Sequence, residues 1–302
     1  MGFTYVELMV AALISIIVCS VLIQTYLIQK RSYHLIRGLA EIQENARVAY
    51  YLLKHDIQNA GYSGCSIKAA KLLSSKGWIS FEPQQSLCVD NIPTRVKLLK
   101  APDSDVISIQ TIASPFINVT KAVAHHVNLA ENVPYKTGDI LWLTNCMQGE
   151  LLQVQAVANT HRIITTQSLK DIYADGSQIG VWQHVFYFIG NTKRNTYDGK
   201  PVKALFRLNL AEPNTTPLEM IEGVEGMHVY YASPGSVFQK AEVITNWNKV
   251  TRVRIILLLN SLQPVFDKEN IYTFDGQSYL AGDRFLHKEW IMIFKLHREG
   301  HE

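Results

Sequence analysis

The sequence predicts an α+β protein in which one long N-terminal helix packs on a mainly antiparallel β domain. Three observations predict it. Residues Leu8 to Gln29 carry no charge, the stretch that follows repeats its apolar residues at helical spacing, and beyond Gly64 the apolar residues alternate with period two.

The charge-free run holds about 22 positions, which at ~1.5 Å per residue extend roughly 33 Å, enough to cross the hydrocarbon core of a bilayer. It does not read as a cleaved secretory signal. A basic region before it and a small-residue cleavage site after it are both missing, and Ala11-Ala12 comes too early to serve. Residues 3–29 are therefore expected to form a transmembrane helix.

The helix should continue beyond that span. Leu35, Leu39, Ile42, Ala46, Ala49, Leu53 and Ile57 recur every three or four positions, with Arg37, Glu41, Glu44, Arg47 and Lys54 between them. Such spacing gives an amphipathic helix with one buried stripe. Gly38 weakens it by up to ~1 kcal/mol, and no proline interrupts it. Asn59-Ala60-Gly61 supplies a stop, since Gly61 can adopt the left-handed cap conformation. Residues 30–60 thus form the amphipathic second half of one helix.

Residues 61–302 read as a single β-rich domain. Strands are expected at 105–110, 140–144, 150–157, 181–189, 203–210, 226–232, 250–259 and 288–296. Tyr197-Asp198-Gly199, Glu212-Pro213-Asn214 and Asp275-Gly276 mark turns between them. The simplest arrangement lays a sheet against the buried stripe of the helix. Trp78, Phe81, Trp182 and Trp290 are expected in the core. No internal repeat or low-complexity linker divides the region, and its roughly 240 residues can bury a proper core.

The composition excludes several functions. A net charge of +3, with no basic run interleaved with aromatics, argues against direct nucleic-acid binding. His125-His126 are adjacent, so on a strand they face opposite sides, and they read as surface residues. Gly61-Tyr62-Ser63-Gly64 lacks the spacing of a nucleophile elbow. Asp267-Lys268-Glu269-Asn270 lacks the alternating oxygen ligands of a calcium loop. No phosphate loop or dinucleotide fingerprint is present. Catalytic residues, metal ligands and cofactors are accordingly not expected, and the chain reads as no enzyme; a signal-anchored enzyme or binding module outside the cytoplasm is the remote alternative.

Of the four cysteines, Cys19 lies in the apolar helix as a small hydrophobe. Cys65, Cys88 and Cys146 match no zinc spacing. In an oxidising compartment one pair can bridge and leave one thiol over, and sequence proximity favours Cys65 with Cys88.

The sharpest signal is Gly2-Phe3-Thr4-Tyr5-Val6-Glu7-Leu8-Met9-Val10. An acidic group at mid-membrane costs ~2.5–3.5 kcal/mol, so a carboxylate at the lip of a span calls for a partner. The local reading is that Glu7 marks the interfacial start of the helix, favoured by the positive end of its dipole. Joined to the charge-free run, however, the motif resembles the type III signal of type IV prepilins and secretion pseudopilins. That resemblance implies cleavage between Gly2 and Phe3 by a prepilin peptidase and N-methylation of Phe3. It also gives Glu7 an assembly role, neutralising the N-terminal amine of a neighbouring subunit. Opposite charges in a low-dielectric layer attract strongly and relieve each other's desolvation.

Along the rest of the chain the sequence is similar to PilW-type minor pilins. The similarity is carried by Gln43-Glu44-Asn45-Ala46-Arg47, Ala60-Gly61-Tyr62-Ser63-Gly64-Cys65, Gly138-Asp139-Ile140-Leu141 and Asn145-Cys146. It continues through Phe186-Tyr187-Phe188-Ile189-Gly190, Glu222-Gly223-Val224-Glu225-Gly226-Met227 and Val250-Thr251-Arg252-Val253-Arg254-Ile255. This family resembles the J-type pseudopilin of type II secretion, which is the alternative assignment.

The resemblance implies a pilin-like fold and a place in a tip or priming complex of minor pilins. The partners would be the other minor pilins, the major pilin, a tip adhesin and the inner-membrane assembly platform. The protein would be held first in the inner membrane, its C-terminal domain in the periplasm, and later at the pilus tip. For the cysteines, the resemblance favours Cys65 with Cys146.

Two departures carry expectations of their own. Prepilin leaders bear basic residues, whereas Met1-Gly2 has none and Lys30, Arg31 and Arg37 follow the span, a distribution that by itself favours the opposite orientation. A longer precursor start is expected. Gln24 stands where many major pilins have a helix-weakening proline, so the helix should run unbroken.

Overall fold

The computed structural model describes residues 4–60, 81–84, 94–145, 148–212, 215–246 and 249–296. One uninterrupted helix, α1 (Tyr5–Gln58), opens the chain and runs straight through Gln24. After it come β1 (Phe81–Gln84), a short helix α2 (Thr94–Leu99), β2 (Val106–Val123), β3 (His126–Leu129), β4 (Ile140–Thr144) and β5 (Gly149–Asn159). Then follow β6 (Arg162–Thr165), β7 (Ser177–Asn195), β8 (Pro201–Asn209), β9 (Leu218–Glu222) and β10 (Val224–Ala232). The last four are β11 (Arg252–Asn260), β12 (Ile271–Phe274), β13 (Gln277–Leu280) and β14 (His287–Lys295). The fold is α+β, with the sheets antiparallel throughout.

Each of the eight expected strands is present. Those not anticipated (β1, β3, β6, β9, β12 and β13) are four or five residues long. Runs this short offer few alternations to register, although the five residues of β4 sufficed.

The larger sheet runs β1-β2-β3-β6-β5-β4-β7-β8-β9, and β2 pairs with β7 as well. That extra pairing closes a circuit of six strands, β2-β3-β6-β5-β4-β7. The closed part is a small barrel filled by Val119, Val127, Leu141, Leu143, Tyr173 and Ile179, among others. Closure leaves no strand edge there to be satisfied. The other ends of β2 and β7 leave the barrel and, with β8 and β9, form an open sheet.

A second sheet, β10-β11-β14, lies across the helix from the first. The hairpin β12–β13 covers part of its outer face, where Phe274 packs on Ile256 and Leu258. The residues just before β2 tie the two sheets together. The Asp105 amide donates to the Met227 carbonyl at 2.8 Å, and the Val229 amide donates to Asp105 Oδ2 at 2.8 Å.

The second half of α1 fills the groove between these sheets. Ile42, Ala46, Ala49, Leu53 and Ile57 are completely buried and share one core with Ile109, Tyr187, Leu205, Ile255 and Phe294. Full burial of a Leu or Ile contributes about 1.5–3 kcal/mol, so the helix is held chiefly by this stripe. The stripe begins later than its spacing suggests: Leu35 is exposed and Leu39 half-buried. The first buried position is instead Gly38. A Cβ there would stand 3.0 Å from Val265 Cγ2 and 3.2 Å from the Ser261 Cβ. The glycine that weakens the helix is thus what lets it approach the 261–265 loop.

The aromatic expectations need correcting in part. Trp182 is half-buried, and Trp290, also half-buried, packs against the core around α1, while Trp142, not expected there, is 4% exposed beside Ile112. Trp78 and the side chain of Phe81 lie outside the described residues.

On β7, His184 sits between the rings of Trp182 and Phe186, at 5.7 and 4.6 Å between centroids, and its Nε2 is 2.8 Å from Ser108 Oγ. Burial pushes its pKa down to about 4. Because the folded value lies below the unfolded one, near 6.5, the folded state prefers the neutral ring. The contribution is complete above about pH 6.5 and is lost as the pH falls toward 4, by roughly 3 kcal/mol in all. His184→Gln is expected to remove most of that loss. Urea unfolding at pH 7 and pH 4 checks it, and equal acid sensitivity of the two chains would refute it.

Candidate functional site

The apolar half of α1 has no cover from the rest of the chain. Every residue from Thr4 to Tyr33 is exposed, with Leu8, Leu13, Ile16, Ile17, Leu22 and Ile23 each 57–68% accessible. A continuous apolar surface of this kind is strongly opposed by water. The helix is long and apolar enough to cross a membrane. Its two serines and Thr25 donate back to the helix's own carbonyls, as hydrocarbon demands. Ser15 Oγ donates to the Ala11 carbonyl, Ser20 Oγ to that of Ile17 and Thr25 Oγ1 to that of Val21, each at 2.8 Å.

At the tip of this helix, Thr4 and Glu7 form a reciprocal cap. The Glu7 amide donates to Thr4 Oγ1 at 3.4 Å, and the Thr4 amide donates to Glu7 Oε2 at 2.9 Å. Each side chain satisfies a backbone donor that the first turn would otherwise leave open. The carboxylate therefore sits at the start of the helix, held back over its N-terminus. Gly2 and Phe3 lie outside the described residues, as do Cys65, Cys88 and Cys146. Cys19 is exposed on the apolar half of α1.

A second group of residues locks α1 to the β domain. Asp56 is buried at the end of the stripe, and its Oδ2 accepts from Tyr187 Oη at 2.7 Å and from Arg207 Nε at 3.2 Å. Arg207 Nε also lies 3.2 Å from Tyr187 Oη, and His55 Nδ1 is 3.0 Å from Asp56 Oδ1. Burial, and then the Asp56 carboxylate, push the Tyr187 phenol up, so it remains a donor. Burial works against the Arg207 charge, but Tyr187 and Asp56 outweigh it and hold its pKa up.

Other bonds reinforce the lock. Thr111 Oγ1 donates to the Asn59 carbonyl at 2.7 Å, and Asn45 Nδ2 to the Glu222 carbonyl at 3.0 Å. The Arg31–Asp267 ion pair at 2.9 Å is largely exposed and adds little. The helix accordingly leaves the domain as a fixed stalk.

The third group comes from distant parts of the chain. Glu225, Asp283 and His287 offer ligand atoms that all lie within 4.8 Å of one another. A cleft of about 650 Å³ opens beside them, lined by Asp198, Asp267, Glu269, Asp283 and Arg284, with Tyr197 and Phe285 among its apolar walls. Asp267, Lys268 and Glu269 therefore border a cleft. His125 and His126 lie apart from it, exposed at the turn between β2 and β3.

Neither Asp56 nor this triplet stands out in the sequence. Asp56 did leave a signal, since it falls three residues after Leu53 on the buried stripe, where a charge requires a partner inside. The triplet left none, because no local spacing joins its members.

Residues 186–288, about a third of the chain, match the family model described as Type IV Pilus-assembly protein W. The matched segment runs from the middle of β7 to the start of β14, and so includes β8 and β9 of the first sheet and β10 and β11 of the second. No curated protein and no solved structure matches the chain.

Proposed function

We propose that the chain is a PilW-type minor pilin that takes part in type IV pilus assembly within the tip or priming complex, a reading supported by the family match over residues 186–288. The observation that carries this reading is a membrane-length helix, bare of any cover, fixed rigidly to a β domain of that family. Such a helix needs lipid before assembly and the helices of other subunits after it.

In this reading the helix first anchors the protein in the inner membrane with its β domain in the periplasm. Prepilin peptidase removes the residues through Gly2, and the new amine on Phe3 is methylated. The Glu7 carboxylate then pairs with the amine of a neighbouring subunit as the helices bundle. The role is structural and needs no catalytic group. Other minor pilins, the major pilin, a tip adhesin and the assembly platform are the partners.

Deleting the gene tests the assignment. Surface pili and twitching should be lost while enzyme secretion continues. Loss of secretion with pili intact would transfer the protein to a type II secretion machine as a J-like pseudopilin. Mass spectrometry of the N-terminus recovered from membranes should give a chain starting at N-methylated Phe3. Cleavage after the apolar run would overturn the pilin-type processing.

A further inference from the structure

We propose that Glu225, Asp283 and His287 form a binding site for one divalent transition-metal ion of the zinc type. The proposal is independent of the pilus role. His287 Nε2 stands 3.3 Å from Glu225 Oε2 and 3.6 Å from Asp283 Oδ2. Two ligands on a tetrahedral zinc, each about 2.0–2.1 Å from the metal, stand about 3.4 Å apart. One imidazole and two carboxylates suit such an ion, and the presence of imidazole disfavours calcium or magnesium.

The three residues are held in place by features of the fold. Glu225 occupies a bulge in β10, where the register passes from Val224↔Leu259 directly to Gly226↔Leu258. Bulges re-aim a side chain that regular pairing would send elsewhere. His287 opens β14 directly opposite Asn260 of β11. Asn260 Nδ2 donates to Glu225 Oε1 at 2.6 Å, which fixes that carboxylate and leaves Oε2 turned to the imidazole. The imidazole itself is stacked on Tyr272 at 4.7 Å between centroids, and its side chain is only 3% exposed.

Nε2 faces the Glu225 and Asp283 carboxylates, and a cation seated among the three atoms would be shared by all of them. A proton on Nε2 balances one of the two negative charges, and a divalent ion balances both. Asp283 also lines the acidic cleft, which gives the ion a route in from solvent. Bound there, the metal would join the start of β10, the start of β14 and the segment between the β12–β13 hairpin and β14.

The test uses the full chain in detergent micelles, stripped with a chelator and then titrated with zinc chloride or cobalt(II). One zinc per chain is expected, with a micromolar or tighter dissociation constant. The cobalt complex should show visible bands of a low-symmetry, four- or five-coordinate site. Glu225→Gln, Asp283→Asn and His287→Gln should each weaken zinc binding by about tenfold or more. If His287→Gln does not fold, the other two variants, at more exposed positions, decide the matter. Absence of stoichiometric zinc, or zinc bound equally well by Glu225→Gln and Asp283→Asn, would overturn the proposal and leave the triplet as an ion-paired protonated histidine.

Discussion

Glu7→Gln is expected to leave the β domain folded and yet reduce surface pili by about tenfold or more. The choice of glutamine follows from the geometry at the helix tip. Glu7 already has a local task, accepting the Thr4 amide in the cap. Glutamine at this position can still close a capping box, so the substitution keeps the cap and removes only the charge. Losing a cap costs about 0.5–2 kcal/mol. Leaving a neighbouring subunit's amine unpaired in the apolar layer costs ~2.5–3.5 kcal/mol on insertion scales. At about 1.4 kcal/mol per tenfold, that is on the order of a hundredfold in subunit docking. Glu7→Ala, which removes cap and charge together, should be no better. Counting pili by electron microscopy in complemented deletion strains decides it. Normal piliation with Glu7→Gln would reduce this carboxylate to a helix cap.

Asp56→Ala is expected to destabilise the fold by about 3–5 kcal/mol, nearer the lower figure. The substitution strands a buried phenol and a guanidinium whose carboxylate is gone, which is the expensive way to break a buried pair. The Asp56 side chain is 7% exposed and that of Arg207 24%, so Arg207 can recover some hydration and moderate the loss. Replacing both, as Asp56→Ala with Arg207→Leu, should cost less than Asp56→Ala alone, because no charge is left without its partner. Urea unfolding of the full chain in detergent, followed by tryptophan fluorescence, measures both. A single-variant loss under 1 kcal/mol would show that the triad does not hold the helix. Limited proteolysis near residue 60 gives an independent readout, since a loosened helix end exposes its backbone.

What could be read in advance followed the range of the interactions involved. The helix and the eight longer strands rest on spacing within a few residues, and the sequence carries that spacing openly. Closure of the barrel does not, because Val119 must find both Leu129 and Ser177. The true length of β2 was hidden for a related reason. Its register slips between Ala113 and Ile117, around Pro115, which breaks the alternation and hides the second half of the strand. Among the residues given a role, Glu7 could be singled out from the sequence because its motif is contiguous. The Asp56 lock and the Glu225 triplet are assembled only by strand pairing and helix docking.

The contacts of α1 with β11 and β14 also govern the order in which the protein can fold. The stripe that ends at Ile57 is synthesised well before its partners Ile255 and Phe294, which lie roughly two hundred residues further along. At about 5–20 residues per second, the interval between them is roughly ten to fifty seconds. Throughout it the barrel strands can pair among themselves, while the amphipathic half of the helix can meet only the first sheet, through Ile109, Tyr187 and Leu205, and still lacks the second. A membrane-held N-terminus keeps that half from wandering into contact with other nascent chains. The same timing makes the C-terminal strand a checkpoint: a chain cut short before β14 has made its barrel but cannot finish the groove that grips its own anchor.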